Sequence, residues 1–172
     1  MVGVIGWDPG ARCSTSGIDS RMYALHTHLP VLEPADVSQV RETVSGAFEL
    51  SEHLQLPVTV FLPARLCYGM GTVETGDVLS PAGPRTFPHT PDLTNVGGRA
   101  VERHRLLMGK VETLRDEEAP NLSPDRPPDR RHIVPSRDLI VTSGILTDIV
   151  LEALETLGAL GEVSVFAPGL TY

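Results

Sequence analysis

The sequence predicts an α/β protein. Two strands of buried type, Val2–Trp7 and Val58–Leu62, flank a long amphipathic stretch, and a strand, turn, helix and strand recur between Leu139 and Phe166. Short, almost continuous runs of Val, Ile, Leu and Phe mark parallel strands covered on both faces. Strand, helix and strand in this order call for a right-handed crossover.

Taken in order, Val2–Trp7 runs into a polar loop, Asp8 to Arg21, rich in Gly and Ser. Met22 to Pro30 reads as a short helix or turn, and Val31 to Pro34 as an extended piece stopped by proline. Asp36 is placed as a helix N-cap, with Gln39 three residues on. Val37, Val40, Val44, Ala47, Phe48, Ser51 and Leu54 recur at helical spacing on one face, opposite Arg41, Glu42, Glu49 and Glu52. After Pro57 the second strand begins. From Ala64 to about Val96, Pro81, Pro84, Pro88 and Pro91 with several glycines leave no apolar period, so an irregular connection is expected. A helix follows from Gly98 to about Glu118, with Val101, His104, Leu107, Met108, Val111 and Leu114 on one stripe. Pro120 to Pro135 reads as a solvated linker. Leu139–Val141, the turn Thr142-Ser143-Gly144, a helix of Ile145 to Leu157 ended by Gly158, and Val163–Phe166 then begin a second α/β unit. Its two strands and one helix cannot cover both faces of a parallel sheet. Open sheet edges of this kind predict association with other chains.

Composition narrows the function. With 172 residues, 41% hydrophobic and 21% charged, the chain fits one or two globular domains. A formal charge of -8 opposes nonspecific nucleic-acid binding, which rewards clustered Lys and Arg. No apolar run approaches the roughly 20 residues that span a bilayer, and the start lacks a basic segment followed by an apolar one, so a cytoplasmic protein is expected. Cys13 and Cys67 alone cannot ligate an iron–sulfur cluster or structural zinc, and are expected as reduced thiols.

Open α/β sheets place ligands beyond the carboxyl ends of their strands, which singles out the loop after Trp7. Its backbone N–H groups are suited to an anion, and Arg21 to a bidentate carboxylate pair. The plainer reading is a turn whose Ser and Asp side chains satisfy local backbone groups. His26 and His28 would point to one side of an extended segment, as a metal pair must, but no third ligand stands nearby. His104 reads as a packing residue, Asp129-Arg130-Arg131-His132 as linker charges, and Ser143 lacks the surroundings of a nucleophile elbow.

A broader pattern runs through the chain. Asp8-Pro9-Gly10, Asp19-Ser20-Arg21, Tyr23-Ala24, Leu29 to Asp36, Ala47 to Glu52 and Leu56-Pro57-Val58 occur in this order. Arg103-His104, Ala119-Pro120-Asn121, Leu139 to Ile145 and Val150 to Gly158 follow. Together these resemble the large subunits of indolepyruvate:ferredoxin oxidoreductases, within the thiamine-diphosphate-dependent 2-oxoacid:ferredoxin oxidoreductase family, over essentially the whole chain. The family loop has the form Ser-Ser-Gln-Asn-Glu-Gln-Asp-x-Arg; here it reads Cys13 to Arg21, and Ser14, Asp19 and Arg21 carry over.

The resemblance implies that residues 1–72 are the C-terminal part of a thiamine-diphosphate pyrimidine-binding domain. Residues 73–136 would then be an irregular connection with one helix, and 137–172 the start of a transketolase C-terminal-like α/β domain. It implies oxidative decarboxylation of aryl 2-oxoacids with coenzyme A and ferredoxin. Ser14, Asp19 and Arg21 would be cofactor- or substrate-binding residues, with no catalytic or metal-binding residue in this chain. The glutamate that activates the cofactor, the diphosphate and magnesium domain, and the cluster cysteines would lie outside it. Thiamine diphosphate with Mg would therefore bind only in an oligomer with complementing subunits, with no Fe–S cluster here and ferredoxin an indirect partner. Two other readings share the architecture: a non-catalytic α/β assembly module and a fragment of a transketolase-type transferase.

Overall fold

A computed structural model describes residues 1–15, 17–76, 83, 94–115 and 130–169. The residues around Pro81, Pro84, Pro88 and Pro91, Ser16, the end of the Gly98 helix at Glu118, and the linker from Pro120 through Asp129 lie outside them. The chain divides into two compact units, Met1–Thr72 with Asn121–Tyr172, and Val73–Pro120.

The first unit holds two three-stranded sheets. The apolar runs form β1 (Val2–Trp7), β2 (Val31–Leu32) and β3 (Val58–Pro63), ordered β1-β3-β2. Both pairings are parallel, with Val2 opposite Val58 and Val31 opposite Thr59. Val58 and Val60 of the central strand β3 are fully buried, as are Val31 and Leu32 of β2. β1 departs from this burial: Val4 is 52% and Ile5 42% exposed, so both faces of this edge strand are open.

Between β1 and β2 lies α1 (Arg21–Thr27), whose chain turns out through His28 at φ 56°. α2 (Val37–Leu54) starts where the sequence places its cap: Asp36 accepts from the Gln39 N–H at 3.0 Å. Gln39 replies by accepting the N–H of Ala35, the residue before the cap, at 3.1 Å, so one of the helix's first donors and the chain entering it both find partners. Burial raises the Asp36 pKa, but hydrogen bonds from the Ser38 hydroxyl and the Gln39 and Ser38 N–H groups, with the Arg130 guanidinium, outweigh it and hold the carboxyl below its ordinary value. Its stabilising contribution is therefore present above the unfolded pKa and lost as pH falls through the folded one. Asp36→Ala is expected to lower stability by about 1 kcal/mol at neutral pH, read from urea unfolding, with the difference shrinking in acid.

The buried face of α2 keeps Ala47, Ser51 and Leu54 of the predicted stripe but is shifted away from Phe48. Thr43, Gly46, Ala47, Leu50, Ser51 and Leu54 are buried, while Phe48 is 57% exposed and Val37, Val40 and Val44 are half-buried. Gly46 and Ala47 present little bulk where the helix lies on β3 and β1. Arg41, Glu42, Glu49 and Glu52 face solvent, as expected. The stretch beginning at Ala64 is also less irregular than read: α3 (Ala64–Cys67) forms one short helix directly after β3.

The second sheet corrects the linker reading. Arg130–His132 forms β4, antiparallel to β6 (Ser164–Ala167), so Arg130, Arg131 and His132 are not simply solvated charges. β5 (Leu139–Val141) pairs with β6 in parallel, giving the order β4-β6-β5. α5 (Leu146–Thr156) connects β5 to β6 and packs on β6, with Thr147 and Leu154 buried. Val165 forms the floor of this sheet at 1% exposure. Arg130 binds Asp148 of α5 at 2.6 Å and lies 3.9 Å from Asp36 at the start of α2, bringing β4 and both helix starts together.

The second unit contains α4 (Gly98–Arg115), preceded by Gly97 at φ 57°, a left-handed conformation that favours glycine. Its expected stripe is only partly covered. Leu114 is buried and Leu107, Met108 and Val111 are half-buried, but Val101 and His104 are exposed, which corrects the packing role assigned to His104.

Among the described residues no helix is long and apolar enough to cross a membrane.

Candidate functional site

The parallel strands of the first sheet deliver three acidic segments at their carboxyl ends. Asp8 follows β1, Glu33 follows β2, and the loop carrying Asp19 and Arg21 leads from the first into α1. Such strand ends converge because every parallel strand of a sheet points the same way.

Asp8 organises the loop. Its Oδ2 accepts the Cys13 N–H, the Ser14 N–H at 2.9 Å and the Ser14 hydroxyl at 3.3 Å. Its carbonyl accepts from Ala11 and Ile18 at 3.3 and 3.2 Å. The N–H of Cys13 first, then those of Arg12, Ser14 and Gly10, hold this carboxyl below its ordinary pKa against the opposing effect of burial. The backbone donors that sequence reading offered to an anionic ligand thus include two already given to Asp8. Ser14 belongs to this arrangement.

Asp19 and Arg21 are brought together with each other. Arg21 donates from Nε to Oδ1 at 2.9 Å and from Nη2 to Oδ2 at 2.7 Å, and its backbone N–H reaches Oδ1 at 3.1 Å. The side-chain hydrogen bond from Arg21 is the main reason the Asp19 pKa is lowered. With side-chain exposures of 32% and 47% the pair contributes about 0–1 kcal/mol, so its value is geometric. Behind it, Arg21 Cζ stands 5.2 Å from the centroid of Trp7, which packs at 6.1 Å against Phe61 in a buried cluster with Ala24 and Val31. The guanidinium is therefore fixed by a carboxylate in its plane and an aromatic face beneath it.

Sequence reasoning missed Asp8 and Glu33. For Asp8 a signal existed: an aspartate before Pro-Gly at a strand end is a turn former whose carboxylate binds following N–H groups. Glu33 had no comparable mark. It lies beside the Ser143-Gly144 turn, about 110 residues on, and burial raises its pKa, opposed by the Ser143 hydrogen bond and by Arg21.

The other candidates separate. His26 lies in the last turn of α1 and His28 at its left-handed end, so the extended alternation needed for a metal pair does not form. Among the described residues no group of three or more His, Cys, Asp or Glu is placed to hold a metal ion. Cys13 and Cys67 are both free and exposed. A separate cleft of about 510 Å³ lies beside α5, lined by Arg130, His132, Leu151, Glu155 and Val165 among others.

Comparison with proteins of known structure defines the class first. The chain superposes on a 2-oxoglutarate:ferredoxin oxidoreductase from Magnetococcus marinus with a TM-score of 0.65 at 19% identity, covering 99% of this chain and 37% of the other. The fold is thus one found in 2-oxoacid:ferredoxin oxidoreductases. Within that class the chain resembles the large subunit of indolepyruvate:ferredoxin oxidoreductases over its whole length. It is 34% identical over 176 aligned residues to indolepyruvate oxidoreductase subunit IorA of Methanothermobacter thermautotrophicus, covering 100% of this chain and 27% of the relative. The corresponding subunit of Methanothermobacter marburgensis is 30% identical over 178 residues, with the same coverage. The chain therefore spans about a quarter of the length of these relatives. No protein-family profile matches it.

Proposed function

We propose that this chain supplies part of the cofactor cleft of a thiamine-diphosphate-dependent, indolepyruvate-type 2-oxoacid:ferredoxin oxidoreductase, and acts only with complementing subunits. The observation that carries the reading is the Arg21 guanidinium, clamped by Asp19 and seated on Trp7 at the carboxyl end of a parallel strand. It stands in a chain similar throughout to IorA. On this reading residues 1–72 form part of a pyrimidine-binding domain and 137–172 begin a transketolase C-terminal-like domain.

The residues present suit one end of the cofactor better than the other. Ser14, Asp19 and Arg21 offer a hydroxyl, a carboxylate and a guanidinium, the donors and acceptors that line a polar wall. They do not form the oxygen cluster that a diphosphate-bound magnesium ion requires, which this reading assigns to a complementing chain. When bound, thiamine diphosphate supplies the carbanion and electron sink for decarboxylation. Arg21 binds and orients: a guanidinium held as a planar fork is the group that pairs a substrate carboxylate through two parallel N–H donors. Asp19 limits the net charge of the wall and keeps the fork in one plane. The apolar Trp7 and Phe61 behind it keep water from the rear of the guanidinium.

A second reading, a non-catalytic assembly module, draws on the open faces of β1 at Val4 and Ile5. Calorimetry separates the two. Thiamine diphosphate with Mg is expected to give no heat with the isolated chain and clear binding once the complementing subunits of the oxidoreductase are added. In that complex Arg21→Ala should weaken binding of an aryl 2-oxoacid about tenfold or more, the scale of a lost hydrogen bond to a charged group. Absence of heat in both cases favours the assembly module instead.

A further inference from the structure

The two sheets of the first unit meet over very little. Extensive packing among the described elements stays within a sheet: α2 and α3 lie on β1 and β3, and α5 lies on β6. The buried apolar cluster of Trp7, Ala24, Val31 and Phe61 likewise belongs to the first sheet alone. What crosses from one sheet to the other is polar. The Ser143 side chain hydrogen-bonds to the Glu33 carboxyl at the end of β2. The Gly144 turn rests on the same side chain, where a Cβ would stand 3.0 Å from Oε2 and 3.2 Å from Cβ. Arg130 of β4 makes the third crossing: it lies 3.9 Å from Asp36 at the start of α2 and is bound to Asp148 of α5 at 2.6 Å.

Between these crossings the seam is not closed by packing. A void of about 20 Å³ separates Glu33, Ala35, Gln39 and Thr43 on the first sheet's side from Thr147 and Arg130 on the second's. Glu33 Oε1 and Thr147 Oγ1 are buried there without a hydrogen-bond partner among the described residues. Core packing leaves few voids and pairs its buried oxygens, so this boundary has the character of an interface between domains, across which relative motion is the rule.

Arg130 carries the ionic part of the seam. Its side chain and those of Asp36 and Asp148 are all partly exposed, so mobile ions reach both pairs and screen them. Without the guanidinium, Asp36 and Asp148 would stand on opposite sides of the seam with like charge and no cation between them.

We propose that the seam is a hinge pinned by Arg130, which stays closed while its ion pairs to Asp36 and Asp148 are intact and opens as they are screened. The pivot is the end of β2, where the Gly144 turn rests on Glu33. Arg21 and Asp19 lie within electrostatic reach of Glu33, which sets the hinge beside the proposed cleft. It does not depend on whether thiamine diphosphate binds, so its failure and that of the cofactor reading are distinguishable.

Thiol labelling reads the opening in the full chain. Thr147 is 1% and Ala35 6% exposed, one on each side of the seam, so Thr147→Cys and Ala35→Cys each place a thiol that a reagent reaches only when the seam parts. Cys13 and Cys67, both exposed, are replaced by Ser in these chains. Iodoacetamide, which is uncharged, should label either thiol about two- to fivefold faster in ~0.5 M than in ~0.02 M NaCl, the range that a half-exposed ion pair supplies. Asp36→Asn keeps the helix cap, since asparagine caps as well as aspartate, but removes the charge that Arg130 meets across the seam. It should raise the low-salt rate by a similar factor, and Arg130→Met should raise it about tenfold, the scale of two such pairs. Urea unfolding of each chain sets the labelling expected from global unfolding alone. Labelling that never exceeds this level overturns the hinge, as do rates indifferent to salt or to Asp36→Asn.

Discussion

Trp7→Ala should lower the stability of the chain by about 3–5 kcal/mol, the range for deleting a large aromatic side chain from a packed core. Trp7 is 8% exposed and joins all three elements around it, packing with Ala24 of α1, Val31 of β2 and Phe61 of β3. The surroundings cannot collapse into the space, because Val31 and Phe61 are fixed by the parallel ladder. Trp7→Phe should behave differently. Its indole Nε1 is buried without a partner, a state that costs about 1–3 kcal/mol. Phenylalanine removes that unpaired donor and keeps a ring over which the Arg21 guanidinium can sit, so the loss of volume and the relief offset to within about 1 kcal/mol. Urea midpoints at unchanged m-value measure both differences. A Phe variant as damaged as the Ala variant would mean that the indole nitrogen is satisfied in solution. The contrast also bears on the site, since only the Ala variant removes the surface on which Arg21 is held.

How much of this was legible in the sequence depended on the range of the interaction that decides each feature. β1, α2, β3, α5 and the Asp36 cap are written in local chemistry: apolar runs, helical spacing, and a carboxylate three residues before the donor it accepts. β4 was not legible, because Arg130-Arg131-His132 contains no apolar residue and no strand former. It is a strand because β6 offers an open edge, Phe166 a face for Arg131 at 5.4 Å, and Asp148 a charge for Arg130. Glu33 likewise acquires its character from Ser143 and Gly144. The pairing of Asp19 with Arg21 spans two residues, yet nothing in the spacing says that Arg21 would turn inward to Asp19 and onto Trp7. What the residues alone left as a strand-end loop, the colinear resemblance assigned to a family, and similarity to IorA over the whole chain agrees with it.

The phase of α2 gives the second large prediction, because sequence and structure disagree there by a definite residue. Helical spacing of the valines put Phe48 on the covered face, whereas the structure buries Leu50 fully and leaves Phe48 57% exposed. The reason lies in bulk. A helix resting on the twisted strands β1 and β3 needs small residues at its nearest approach, which Gly46 and Ala47 supply, and Thr43, Leu50 and Leu54 then flank that contact. Rotating Phe48 inward would carry Leu50 toward solvent. Leu50→Ala should accordingly cost about 2–5 kcal/mol, as for a fully buried leucine whose neighbours relax only partly. Phe48→Ala should stay within about 0.5 kcal/mol, the usual bound for a surface position. Denaturant unfolding of both variants decides the matter, and a larger loss at Phe48 than at Leu50 would restore the face that the valine spacing selects. With Leu50 on the inner face, Glu49 and Glu52 point outward, and α2 adds acidic charge to the outside of the same unit whose strand ends carry Asp8, Asp19 and Glu33.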